Sequence, residues 1–203
     1  MPTSADAIRA SYERIRAELG PAVTVVAATK YADLETMAAL ADAGVEVVGE
    51  NRLQDLLAKH ERFGERFRWH FIGHLQSRKA KDVSRLCELV HSLSSASAAK
   101  RLAVPALVGV NLAGEETKSG IAPDRLPAFL AEATALGVDV RGLMTMPPLA
   151  DDPERSRPYF RRLRELAEAH GLTELSMGTS QDYRVAAEEG ATLVRVGSVL
   201  FGR

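Results

Sequence analysis

A single cysteine, Cys87, is the whole thiol complement of this sequence. One thiol excludes an internal disulfide and any multi-thiolate zinc site. A free cysteine fits a reducing compartment, so a cytoplasmic location is expected. Charge of one sign is equally lacking. Lys and Arg number 26 against 27 Asp and Glu, a formal net charge of −1, so no global field draws the chain to nucleic acid or to an anionic membrane. Long apolar runs are missing too. No stretch approaches the roughly 20 apolar residues that span a bilayer. The charged, amphipathic start MPTSADAIRASYERIRAELG lacks the unbroken apolar core of a signal peptide. Low-complexity tracts and fixed-period repeats are also absent, and the length suits one domain over residues 1–203.

What is present is alternation. Short apolar, β-rich runs fall at 24–29, 45–49, 69–73, 88–93, 106–111, 139–146, 174–178 and 192–197. Segments with helical spacing lie between them, at 33–43, 51–65, 76–85, 95–103, 123–136, 153–170 and 180–189. An extra helix over about residues 4–19 precedes the first strand, with Ile8, Tyr12, Ile15 and Leu19 on one stripe and Gly20-Pro21 stopping it. Gly44, Gly137, Gly171 and Gly190 each fall just past a helix, where a left-handed cap is expected. Asp33, Ser77 and Pro123-Asp124 suit helix starts. Eight strands alternating with helices predict an α/β fold, a single (β/α)8 TIM barrel with an extra N-terminal helix. A doubly wound open sheet competes, but no Gly-rich dinucleotide fingerprint follows the first strand. The fourth crossover is the weak point: its helix has barely two turns, where parallel crossovers usually take a dozen or more residues.

Chemistry in such barrels gathers where the strands end and the following loops emerge. Lys30 follows strand 1, Glu50 and Asn51 strand 2, His74 strand 3. Ser92 and Ser94 end strand 4, Asn111 strand 5, and Met144, Thr145 and Met146 strand 6. Gly178, Thr179 and Ser180 follow strand 7, and Arg195, Gly197 and Ser198 end strand 8. MGTSQD sets Gly, Thr and Ser at a predicted helix start, where free N–H groups favour an anion. RVGSVLFG sets Gly197-Ser198 after strand 8, and barrels often bind phosphate with the loops after strands 7 and 8. Ordinary helix capping is the bland alternative for each motif taken singly. Lys30 ends an apolar run. Burial at a rim would disfavour its ammonium form and leave an amine able to form a Schiff base with a carbonyl; a lysine that snorkels to water is the commoner outcome. An amine beside an anion site suggests pyridoxal 5′-phosphate (PLP) or a sugar phosphate. Arg195 shares a strand face with Gly197 and could clamp a phosphate, donate to the ring nitrogen of PLP, or pair with a rim carboxylate such as Glu50.

The stretches VVAATKYAD, VGENRLQD, WHFIGHLQSRKAK, VHSLSS, VNLAGEETKSGI, RGLMTMPP and LSMGTSQDYRVAAEEGATLVRVGSVLFGR occur in that order. Together they resemble the YggS/PROSC family of PLP homeostasis proteins over nearly the whole chain. The resemblance implies a barrel similar to the N-terminal domain of alanine racemase, with PLP as cofactor held as a Schiff base on Lys30. It implies that Arg195 faces the pyridine nitrogen and that Ser180, Gly197 and Ser198 hold the phosphate. Asn51, His74, Met144, Ser176, Gly178 and Thr179 complete the expected cofactor-binding set, with no catalytic residue and no metal. Thr179 and Gln181 depart from the family, which more often shows Met and an acidic residue there; Asp182 is next to them.

An always-charged arginine that donates to the ring nitrogen requires that nitrogen to accept, which makes the ring a weaker electron sink. Racemisation also needs an acid or base on each face of the substrate Cα. Tyr31 should point away from Lys30 on an extended strand, which leaves Tyr183 as the candidate for the second face. The expected function is therefore a PLP carrier and reservoir with little or no turnover, serving apo PLP-dependent enzymes, as a monomer. A PLP-dependent enzyme of modest activity on a small amino acid is the alternative, and a class I aldolase-like enzyme the third reading. His70 and His91 read as strand or core residues. The arginines of RSRPYFRRLRE read as solvent-facing, with Tyr159, Phe160, Leu163 and Leu166 inward.

Overall fold

A computed structural model describes residues 4–115 and 119–202. Residues 116–118, inside the VNLAGEETKSGI stretch, and Arg203, the last residue of the final motif, lie outside the described residues, as do residues 1–3. Eight parallel strands close into a barrel in sequence order: β1 (Thr24–Ala28), β2 (Val47–Glu50), β3 (Arg68–Phe71), β4 (Leu89–Leu93), β5 (Ala106–Gly109), β6 (Val140–Met144), β7 (Glu174–Thr179) and β8 (Leu193–Val196). β8 returns to β1 with Arg195 opposite Val26. The (β/α)8 expectation holds, and the open sheet is excluded.

The alternation along each strand divides the apolar residues between two cores. Val26, Val47, Leu89, Leu107 and Leu193 form one cluster inside the barrel, with Met144 packed on it. Their neighbours Val25, Ala27, Val48, Val90, Val108 and Val194 belong to the larger cluster beneath the helices. Full burial of such a side chain is worth about 1.5–3 kcal/mol, so each strand is held from both faces. Closure also needs close backbone approach. A Cβ on Gly142 of β6 would sit 1.8 Å from the Glu174 carbonyl oxygen of β7, so these two strands can pair here only around glycine.

The helices are α1 (Ala5–Leu19), α2 (Leu34–Asp42), α3 (Leu53–Phe63), α4 (Ala80–Leu86), α5 (Ala96–Ala99), α6 (Leu126–Ala135), α7 (Arg157–Ala169), α8 (Tyr183–Glu188) and α9 (Ser198–Phe201). Ser4 and Asp33 cap α1 and α2 through their side chains, and Gly44, Gly137, Gly171 and Gly190 all take positive φ. Ser77 is the first residue of a 3-10 turn before α4, and Gln76, which precedes it at the cap position, makes no side-chain capping bond. The fourth crossover is shorter than its sequence pattern suggests. α5 is a single turn, and its buried Ala98 and Ala99 let the chain pass close over the sheet. α8 starts at Tyr183, three residues later than expected, and α9 had no counterpart in the reading of the sequence. The arginines of α7 are not simply solvent-facing: Arg157, Arg161 and Arg164 converge on the buried carboxylate of Glu189. Cys87 is buried at the foot of β4, and burial, with Glu50 and Glu88 next, pushes its thiol up to about 12.

α1 packs against α2, α8 and α9 and so covers the seam where β8 meets β1. Ile8, Tyr12 and Ile15 are its buried stripe. Tyr183 donates to Glu18 Oε2 at 2.5 Å, and Arg184 donates to both oxygens of the same carboxylate. Hydrogen bonds from Arg184 and then Tyr183 lower the Glu18 carboxyl to about 2. A depressed carboxyl contributes stability above its ordinary value of 4.5 and loses it as pH falls from there through about 2. Glu18→Gln should lower Tm by about 4 °C at most at neutral pH, because solvent screens the pair. Thermal melts should show that difference shrinking below pH 4.5; a gap that stays constant down to acid unfolding would remove Glu18 from the clamp.

Candidate functional site

A cavity of about 510 Å3 opens at the C-terminal mouth of the barrel. Lys30, Asn51, Thr179, Ser180, Arg195, Gly197 and Ser198 line it, with Tyr31, Ile72, Met146, Leu149 and Phe201 among its apolar walls. Seven of the eleven residues singled out from the sequence thus meet in one place.

Lys30 is placed there by the turn that ends β1. Ala32 N–H donates to Thr29 O at 2.8 Å, so Lys30 and Tyr31 form the centre of the turn. Thr29 is fully buried and held by further bonds. Its hydroxyl donates to Glu50 Oε1 at 2.5 Å, and Lys59 Nζ donates to its carbonyl at 2.7 Å. Lys59 also pairs with Glu50 Oε1 at 2.6 Å. This ion pair fixes the backbone immediately before Lys30, so a buried network leads straight to an exposed amine. Two expectations are corrected here. Lys30 is exposed rather than buried, because the strand ends at Ala28 and the turn lifts it to the rim. Tyr31 does not point away: the Lys30 ammonium lies 4.7 Å from the centre of its ring, since a turn, unlike a strand, does not send neighbours to opposite faces.

Arg195 reaches the cavity from inside the barrel. Burial lowers its guanidinium to about 10, against the pull of Asp182. Its bonds go to Ser176 Oγ and, at 3.0 Å, to Thr145 O. No ion pair holds Arg195 among the described residues. Glu50, the rim carboxylate considered for it, belongs to Lys59.

Across the mouth, Gly197 N–H and Val199 N–H both donate to Ser180 Oγ, at 2.9 and 3.3 Å. Two backbone donors converging on one oxygen, here a hydroxyl that can rotate aside, form the kind of cradle that accepts an anion. A Cβ on Gly197 would sit 3.5 Å from Ala28 O, and it would take up cavity room. The stretch MGTSQD is not a helix start: Thr179 ends β7, and its N–H and hydroxyl both donate to Asp182 Oδ1, at 2.7 and 3.0 Å. Those donors are therefore committed within the loop.

The other four residues lie outside the cavity lining. Met144 faces the interior apolar layer, and Met146, beyond the strand end, lines the mouth instead. His74 is exposed in the loop after β3, from which Ile72 contributes to the wall. Ser176 is buried beneath Arg195. Gly178 has φ of +90°, and a Cβ on it would meet Ala186 at 2.6 Å, so it lets α8 pack on β7. Tyr183 is tied to Glu18 and does not line the cavity. Sequence reasoning missed Lys59, although a signal was available: it interrupts the apolar stripe Leu53, Leu56, Phe63 of α3 with a charge, which requires a buried partner. The site has polar capacity to spare. Asn51 Oδ1, at the cavity wall, is buried with no hydrogen-bond partner, a costly state that a polar ligand relieves.

Residues 3–203 match the family described as alanine racemase, N-terminal domain. A pyridoxal phosphate homeostasis protein of Aquifex aeolicus is 40% identical over 195 residues, covering 88% of this chain and 86% of its own. Its counterpart in Deinococcus radiodurans is 40% identical over 98% of this chain and 99% of its own. The structure of PipY from Synechococcus elongatus with PLP bound superposes with a TM-score of 0.87 at 32% identity, covering 96% of this chain and 100% of that one. The barrel, its mouth and these similarities agree: the chain belongs to the family of pyridoxal phosphate homeostasis proteins, built on the alanine racemase N-terminal domain.

Proposed function

We propose that this protein binds PLP as a Schiff base on Lys30 and acts as an intracellular carrier and reservoir of the cofactor, with little or no turnover. The observation that carries the reading is the meeting, in one cavity, of an exposed amine, a buried guanidinium and the Ser180 hydroxyl on which two backbone N–H groups converge. An aldehyde, a ring nitrogen and a phosphate call for those three groups. PLP bound there would supply an aldehyde with which the Lys30 amine could condense, with loss of water. Ser180, Gly197 and Ser198 hold the phosphate, Arg195 donates to the ring nitrogen, and Asn51 binds a further polar group. The PLP-bound state of PipY supports the same reading.

Three features favour holding over turnover. Lys30 stands at an open rim, where water can reverse the condensation. Arg195 has only neutral oxygens as bonded partners and stays a donor, so the ring nitrogen accepts and the ring withdraws electrons weakly. Tyr183, the tyrosine considered for the second face, is occupied by Glu18. Release then serves apo PLP-dependent enzymes inside the cell, from a monomer. No helix among the described residues is long and apolar enough to cross a membrane.

Tyr31 favours a second reading, a PLP-dependent enzyme of modest activity on a small amino acid, because its ring lines the cavity beside Lys30. Two measurements on PLP-loaded protein separate the two. As a carrier it should restore activity to an apo-aminotransferase and leave the Cα proton of alanine unexchanged in heavy water. Exchange that disappears in Tyr31→Phe would establish the enzyme instead. Protein that neither gains visible absorbance with PLP nor transfers it would refute both.

A further inference from the structure

One polar chain runs through the barrel interior from the cofactor mouth to the opposite end. Arg195 Nη1 bonds to Ser176 Oγ, and Ser176 Oγ lies 2.7 Å from His91 Nδ1. His91 Nε2 lies 2.9 Å from His70 Nδ1, and His70 Nε2 lies 3.0 Å from Glu88 Oε1. The members come from β8, β7, β4 and β3 and from the residue just before β4. His91 and Ser176 are fully buried. The far end opens into a second cavity, of about 620 Å3, at the N-terminal ends of the strands, where Arg68, His70 and Glu88 line the wall.

The ends fix the direction of every bond. A guanidinium only donates, and an ionised carboxylate only accepts. Burial raises the Glu88 carboxyl, but hydrogen bonds from Arg68 and His70 outweigh it and leave the group below its ordinary value. Burial, then His70 and Arg195, holds His91 well below 6.5, and burial lowers His70 against the pull of Glu88. Both imidazoles are therefore neutral, each with one donor and one acceptor. A single assignment satisfies all four contacts. Ser176 accepts from Arg195 and donates to His91 Nδ1; His91 Nε2–H donates to His70 Nδ1; His70 Nε2–H donates to Glu88.

We propose that His91 and Ser176 are positioning residues for Arg195, with Glu88 and His70 at the far mouth setting the His91 tautomer and so the direction of the Ser176 hydroxyl. The relay holds one edge of the guanidinium on Ser176, while Thr145 O takes a second donor. The remaining N–H groups are thereby directed to the cofactor cavity that Arg195 lines. Removing the acceptor at His91 frees the Ser176 hydroxyl to turn and loosens the guanidinium. The direction of the relay stands on the protein alone; its effect on the cofactor rests on the PLP reading above.

Two experiments test the halves separately. Nitrogen-15 spectra of histidine-labelled, PLP-free protein should show His70 and His91 neutral at pH 7 with the proton on Nε2, and Ser176→Ala should shift the His91 Nδ1 resonance. An Nδ1–H tautomer or a charged ring at either position would overturn the relay. Next, His91→Leu should move the absorbance band of bound PLP and weaken its Kd about tenfold, the order set by losing a buried hydrogen-bond partner. His91→Asn keeps an acceptor near the place of Nδ1 and should hold the band and stay within about twofold in Kd. If both variants lower Tm but neither changes the band or Kd, His91 is merely structural and the proposal fails. Wild type with the expected tautomers that takes up no PLP would overturn the cofactor reading, and the positioning role with it, but not the direction of the relay.

Discussion

Lys30→Ala should abolish the pyridoxyl label that borohydride is expected to fix on wild-type protein, and it should weaken PLP binding by about 100-fold or more, about 2.7 kcal/mol. The loss is expected to be complete because, among the described residues, no second amine lines the cavity. Lys59, one helix away, is buried with its Nζ 2.6 Å from Glu50 Oε1 and 2.7 Å from Thr29 O. Its lone pair is unavailable while that pair is intact. The substitution should cost little stability, because Lys30 is exposed and its ammonium lies against the exposed ring of Tyr31. Surface changes of this kind stay within about 0.5 kcal/mol, so Tm should move by no more than about 2 °C. Mass spectrometry of the reduced protein checks the first claim and a thermal melt the second. A label of wild-type intensity in the variant, or one mapped to another lysine, would sink the Schiff-base assignment.

Lys59→Met should have the largest effect on stability of any change near the site. It strands Glu50, which is fully buried and whose Oε2 already lacks a partner. Breaking a buried ion pair from one side costs about 3–5 kcal/mol, which for a domain of this size is a Tm loss of about 6–20 °C. Glu50→Gln combined with Lys59→Met removes the stranded charge and should recover much of the loss. A double variant as unstable as Lys59→Met alone would show that the damage comes from packing and not from charge. Because the pair also holds Thr29, PLP retention should fall in Lys59→Met even at temperatures where the protein remains folded. An equilibrium dialysis measurement at low temperature separates that effect from unfolding.

The barrel was legible because its signal is redundant. Eight apolar runs, the C′ glycines and the capping Asp33 each support the same alternation, so a misplaced boundary does not change the topology. The site was legible in part. Residues whose backbone ends a strand, such as Lys30, Asn51 and Gly197, follow from counting strands. Residues whose role depends on which way a side chain turns do not. Met144 and Met146 differ by two positions and share a strand face, yet the first packs into the interior layer and the second, beyond the last paired residue, lines the mouth. Tyr31 was misread because strand alternation was extended one turn too far. His70 and His91 looked like ordinary core residues. Their connection spans 21 positions of sequence and a further 85 to Ser176, and no local pattern encodes it.

The buried Cys87 has a practical consequence. With its thiol pushed up to about 12 and shut away at the foot of β4, maleimide reagents at neutral pH should pass it by. A cysteine introduced at Leu149, which is 91% exposed on the cavity wall, would then be the sole point of attachment for a fluorophore. The wild-type background is in effect already cysteine-free for labelling, and a dye there would report loading and unloading of the mouth in real time.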